Sequence, residues 1–200
     1  MNQPERPTIA VLGTLAEFHR EPIPYDLPAL VKLVTEINPD LLCLDVTAQR
    51  WQQQDFHDLP PEIGEALVPL AYQTDMVVAP VAGEEQPPRA QAAGWRGQLI
   101  RFLRGRLAAW QRRAKPDAIN QGWQHFLADA AYSLTYWLAG RAARQARRRH
   151  TDELTEAVAA VARRNPGSRI LVVVNVQYCH HIRERLRKYG DLAVTTYREL

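Results

Sequence analysis

Cysteine is nearly missing from this chain, apolar runs long enough to cross a membrane are missing altogether, and acidic side chains are scarce through its middle. Cysteine occurs twice in 200 residues, at Cys43 and Cys179, too few to build a disulfide framework. Cys43 lies within an apolar run and reads as a small buried hydrophobe, whereas Cys179 stands beside His180 and His181. Two isolated thiols, behind an amino terminus that lacks a basic start followed by an apolar run, lead us to expect a reducing, cytoplasmic setting. The best candidate for a membrane span, residues 123–140, is interrupted by Gln124, His125, Asp129 and Ser133. It is expected to be a buried amphipathic helix, and no transmembrane segment is expected. With 46% apolar and 24% charged residues, the composition is that of a globular protein, and the length suits one domain over residues 1–200.

The scarcity of acid is local. Residues 91–150 hold 12 basic side chains against 2 acidic ones, while residues 1–90 hold 5 against 14, so a net charge of +3 conceals opposite halves. Like charges in one segment repel, so the middle stretch needs a solvated face, the acidic half nearby, or an anionic partner.

Residues 8–13 (TIAVLG), 41–46 (LLCLDV), 76–81 and 170–176 (ILVVVNV) are short apolar runs of strand type, with a last strand over 192–196. Between the first two, Leu27, Leu30, Val31, Val34 and Ile37 recur at helical spacing until Asn38-Pro39, and Pro60-Pro61 opens a further helix. Runs without polar alternation belong to a parallel sheet covered on both faces. The expected fold is therefore α/β, a mostly parallel sheet of about five strands flanked by helices, with a basic helical hairpin inserted at 91–150. Within the insertion, Leu99, Phe102, Leu103, Leu107 and Trp110 form one stripe. Ile119, Trp123, Phe126, Leu127, Ala130, Leu134, Trp137 and Leu138 form another, and Thr151 is expected to cap a following helix.

In open parallel sheets, ligands sit beyond the carboxyl ends of the strands. That rule gathers Glu17, His19, Arg20 and Glu21 after the first strand, Asp45 and Arg50 after the second, Glu84 and Glu85 after the third, and Asn175, Gln177, Tyr178, His180 and His181 after the fourth. If residues 17–21 are extended, Glu17, His19 and Glu21 point the same way, as a divalent metal or a general base would need. Glu17, His19, Asp45 and His180 are the candidate metal ligands. Asp45 stands out because a carboxylate ending an apolar strand needs a partner or a cleft; a helix cap or a salt bridge to Arg50 is the structural alternative. In the basic insertion, Arg144, Arg147, Arg148 and Arg149 are the candidate contacts to a phosphate-bearing or acidic-membrane partner. Its tryptophans fall on the apolar stripes instead of interleaving the arginines as base-stacking platforms would.

Ile37-Asn38-Pro39-Asp40, followed by LLCLDV and Arg50, resembles a block of the TraB/PrgY pheromone-shutdown type family, part of a superfamily with the Tiki proteases and erythromycin esterases. The order of elements over residues 8–85 and 165–196 follows the same pattern. The resemblance implies hydrolysis of amide or ester bonds, in some members with a metal, by histidines and carboxylates at the strand ends. The histidine motifs are degenerate here. Ala16 stands at the first histidine position, Tyr178 at the second, Asn175 replaces a glycine, and Asp45 takes the place of a glutamate. Asp45 and Arg50 keep suitable chemistry, with His19 and His180 or His181 as the candidates to replace the missing histidines.

Two functions follow. The missing histidines favour a non-catalytic binding or regulatory module, with the basic insertion as contact surface for an anionic partner, or for a second copy through its tryptophans. The alternative is a hydrolase, metal-assisted or not. His19 would be base or ligand, Asp45 its acid–base partner or a ligand, and Arg50 or Tyr178 would stabilise an anion.

Overall fold

A computed structural model describes residues 5–83 and 90–200; Glu84 and Glu85 lie outside them. The described residues form one five-stranded parallel sheet. Its strands are β1 (Thr8–Thr14), β2 (Leu41–Leu44), β3 (Val77–Pro80), β4 (Arg169–Asn175) and β5 (Ala193–Thr195), in the spatial order β3-β2-β4-β1-β5. The apolar runs are continuous because the central strands are covered on both faces. Ala10, Leu12, Leu42, Leu44, Leu171 and Val173 enter one core, and their alternates Ile9, Val11, Cys43, Ile170, Val172 and Val174 enter the other. The edge strand β3 is only partly covered and ends at Pro80, a residue that edge positions tolerate.

The first core is closed by α1 (Leu27–Ile37) and by a π-helical segment, Glu62–Leu67, that runs into α3 (Val68–Tyr72). Asp26 caps α1 by accepting from the Ala29 N–H at 2.9 Å, and Asn38 ends it at φ +47°. The short α2 (Ala48–Gln52) is capped by Thr47. The second core is closed by α7 (Arg141–Arg164), through Leu154, Val158, Ala159 and Ala162, and by α8 (Val176–Leu186), through Cys179, Ile182 and Leu186.

The insertion consists of α4 (Gly94–Gln111), the single turn α5 (Pro116–Asn120), α6 (Gly122–Ala139) and the first half of α7. It departs from the sequence reading in three ways. There is no break at 150, and Thr151 caps nothing: it lies inside α7 and donates to the Arg147 carbonyl at 2.8 Å. The α6 helix is amphipathic as expected, but its apolar stripe faces outward, with Trp123 68%, Phe126 58% and Trp137 57% exposed. Its buried residues include His125, Thr135 and Tyr136.

α5 ties the insertion to the sheet. Because β5 pairs only with Thr8–Ala10 of β1, the rest of that edge lacks a strand partner. Asn120 stands in for one: its side-chain oxygen accepts from the Gly13 N–H, and its amide donates to the Gly13 carbonyl. Arg183 of α8 donates to the Val11 carbonyl at 2.9 Å. A sheet edge buried without such bonds would cost about 1–3 kcal/mol for each unpaired group. No described helix is long and apolar enough to cross a membrane.

Candidate functional site

Helices following β1 and β2 cover one face, while α8 following β4 covers the other. Chain exits therefore diverge on both sides of β4, which is where open parallel sheets form ligand crevices. The β1/β4 crevice is a cavity of about 340 Å³ between Leu15, Ala16, Asn175 and Gln177, roofed by Arg104 and Gln111 of α4 and Tyr132 of α6. A larger cleft of about 650 Å³ borders the start of β4 and the end of α1. Its charged groups are already engaged: Arg169 donates to the carbonyls of Ile37, Asn38 and Leu200, and Asp117 pairs with Arg198 and Tyr197.

Residues 17–21 are not extended. Ala16–Arg20 is a 3₁₀ turn, entered at Ala16 with φ +50°, and three residues per turn scatter alternate side chains. Glu17 pairs with Arg20 in solvent, and Glu21 pairs with Arg112 of the insertion at 2.6 Å. His19 turns inward and is 1% exposed. Its Nε2 accepts from the Leu15 N–H at 2.8 Å, and its Nδ1 donates to the Tyr25 carbonyl at 2.7 Å. Burial pushes its pKa down to about 4, against the opposing pull of the Tyr25 carbonyl. With both nitrogens engaged and the ring neutral, His19 holds the β1–α1 connection and offers no lone pair to a metal or substrate.

Arg50 does not reach Asp45. It closes the loop after α2, lying 3.4 Å from the Asp55 carboxylate and donating to the carbonyls of Asp55 and His57. His180 sits in the second turn of α8, its ring against His125 and Phe126. Glu17, His19, Asp45 and His180 are thus not brought together, and the described residues contain no group of three or more His, Cys, Asp or Glu that could hold a metal ion. Both thiols are buried, and burial pushes Cys43 up to about 12 and Cys179 up to about 11, leaving neither as a thiolate.

Asp45 finds another partner: Nε2 of His150, on α7, lies 3.5 Å from its Oδ2. The His150 ring packs edge-on against Tyr178 at 4.9 Å, and burial raises the Tyr178 hydroxyl far above its ordinary value. Asp45 Oδ1 and His150 Nδ1 have no hydrogen-bond partner among the described residues.

Next to this pair lies a second polar cluster, built on Arg147. The Arg147 side chain is 8% exposed. It donates to Ser133 Oγ at 3.0 Å and to the Gln177 carbonyl at 2.6 Å, and its guanidinium lies over the Tyr136 ring at 4.9 Å. One carboxylate, Asp129, stands 3.4 Å from both Arg147 and His181. Burial lowers the His181 pKa, with Asp129 opposing that shift and Arg147 reinforcing it. The cluster floors a cavity of about 440 Å³ lined by Ser133, Tyr136, Arg144, Arg147, Arg148, Thr151, Asp152, His181 and Arg185. Asp152 is already paired with Arg185 at 2.8 Å. Arg144 and Arg148 have no side-chain partner among the described residues, whereas Arg149 points elsewhere and lies 3.8 Å from Glu153.

Sequence reasoning found three of these arginines but missed Asp129, Ser133, Tyr136, His150 and Arg185. The signal was present: Asp129, Ser133 and Tyr136 fall at i, i+4 and i+7, a polar stripe opposite the apolar one on α6. It also missed Glu62, a 2% exposed carboxylate that accepts from Thr14 Oγ1 at 2.8 Å beneath the β1 exit. The chain matches no family model, no curated protein and no solved structure.

Proposed function

We propose that the protein is a non-catalytic binding module whose ligand is an anion, of phosphate or carboxylate type, held in the arginine cleft between α6, α7 and α8. One observation carries this reading: four arginines line a single cavity, and Arg144 and Arg148 have no side-chain partner among the described residues. Arginine presents a planar fork of donors matched to such oxygens and stays charged when partly buried. Ser133 and Tyr136 line the same cavity, and the Ser133 hydroxyl, which accepts from Arg147, keeps its own proton to donate to a polar ligand. Arg147, fixed by Ser133, Asp129 and the Gln177 carbonyl, is preorganised as the floor.

Thermal unfolding with inorganic phosphate, pyrophosphate and citrate tests this. A ligand at a hundredfold excess over its dissociation constant stabilises the folded state by about 2.7 kcal/mol, read as a rise of about 5–10 °C in Tm for a chain of this size. The rise is expected to vanish in Arg144→Ala/Arg148→Ala, to persist in Arg163→Ala/Arg164→Ala, and to weaken with added salt. No shift with any of the three anions would sink the proposal.

The Asp45–His150 contact favours a second reading, a hydrolase related to the TraB type. A carboxylate beside one ring nitrogen of a histidine whose other nitrogen has no hydrogen-bond partner among the described residues is an acid–base arrangement. Neither residue lines the arginine cleft or the β1/β4 crevice, so this pair has no adjoining substrate space there. Turnover of an ester or amide substrate that is lost in Asp45→Asn would restore this reading.

A further inference from the structure

Of the nine large hydrophobic side chains exposed among the described residues, five lie on α6. Trp123, Leu127, Ala130, Leu134 and Trp137 recur at alternating spacings of four and three, the spacing of a helix–helix seam, and all five are exposed. α6 carries no Lys, Arg or Glu, and its one aspartate points to the opposite side, into the Arg147 cluster. The stripe also reads the same in both directions: Trp, Leu, Ala, Leu, Trp. A surface with that property is self-complementary under a two-fold rotation.

We infer that this face binds a second copy of the chain, the two α6 helices packing antiparallel about Ala130. That pairing sets Trp123 beside the second copy's Trp137 and Leu127 near the second copy's Leu134. The small Ala130 at the centre lets the helices approach closely. Trp123, Phe126, Leu127, Leu134 and Trp137 are between 41% and 68% exposed. At the areas typical of such side chains this is roughly 600 Å² of apolar surface per copy. Complete burial of both stripes would remove about 1,200 Å², the lower end of what a stable specific interface buries. A groove of about 270 Å³ beside the stripe, between Leu103, Trp110, Trp123 and Leu127, is apolar and can receive a large side chain from the second copy.

The alternative occupant is an anionic membrane, since exposed aromatics flanked by arginines also suit an acidic lipid surface. Salt separates the two. Arg106 of α4 is exposed and lines the groove beside the seam, so each copy brings positive charge to the rim of a dimer, and screening must strengthen self-association. Membrane attraction must weaken instead.

The test is the mass of the full chain by light scattering after size exclusion, at low and at high sodium chloride, with flotation on vesicles of mixed phosphatidylserine and phosphatidylcholine. The expected result is twice the chain mass, a dimer fraction that rises with salt, and no flotation. Leu127→Glu/Leu134→Glu, both at exposed positions, should give the monomer mass with an unchanged circular-dichroism spectrum. In Ala130→Cys, oxidation should cross-link two chains through that position, because Cys43 and Cys179 are buried and do not compete. A monomer mass at both salts, an uncross-linked Ala130→Cys, or salt-sensitive flotation in place of self-association would overturn the inference.

Discussion

Lowering the pH should weaken this protein through His19. The ring is neutral in the folded state, with its pKa at about 4 against the ordinary 6.5. Between those values the unfolded chain binds a proton that the folded chain refuses. The contribution to stability is therefore fully present above pH 6.5 and is lost as pH falls toward 4. A displacement of this size is worth about 3 kcal/mol once both states are protonated, and about 2 kcal/mol of it disappears between pH 7 and pH 5. Urea unfolding of the wild type and of His19→Gln, at pH 7, 6 and 5, isolates the effect because other titrating groups act on both proteins alike. At pH 7 the variant is the less stable of the two, since glutamine cannot reproduce both ring bonds, to Leu15 and to Tyr25. As pH falls, the wild type loses stability faster and the difference narrows by about 2 kcal/mol. A difference that stays constant from pH 7 to pH 5 would refute the buried, neutral ring. Loss of ligand binding in His19→Gln with unchanged stability would return His19 to the site.

Two further substitutions test the buried carboxylates. Asp129→Ala removes the carboxylate facing the buried Arg147 guanidinium and should destabilise the fold by about 3 kcal/mol in urea titrations at neutral pH, because an unpaired buried charge is left behind; a cost under about 0.5 kcal/mol would mean that the Ser133 and Gln177 bonds suffice. Glu62→Gln should stabilise: burial raises the Glu62 pKa, so the ionised folded form loses stability as pH rises, and glutamine keeps an acceptor for Thr14 without the charge. The expected gain is about 1 kcal/mol at pH 7, shrinking toward pH 4.5, and a loss of stability at pH 7 would contradict it.

The α/β class and the parallel sheet were legible in the sequence because strands buried on both faces must be apolar throughout. Residues 9–13, 41–44 and 170–174 satisfy that condition by themselves. The helical, basic character of the insertion was legible from periodicity and composition. Which face of α6 points inward was not. Its outer stripe is the more apolar, so pattern alone buries the tryptophans, and only the docking of α7 and α8 shows that Asp129, Ser133 and Tyr136 are the inner residues. The partners of Asp45 and Arg147 were also beyond reach. Asp45 meets His150, and Arg147 meets Asp129 and Gln177, through contacts between segments far apart in the chain. At residues 17–21 local reasoning gave the right residues in the wrong conformation, since a 3₁₀ turn and a strand differ in period and send the same side chains to different places. The sequence by itself determined the layers, because burial demands apolar runs whatever their order. The strand order and the convergence of charge on one cleft were decided by tertiary packing, which selects among the faces that the periodicity leaves equivalent.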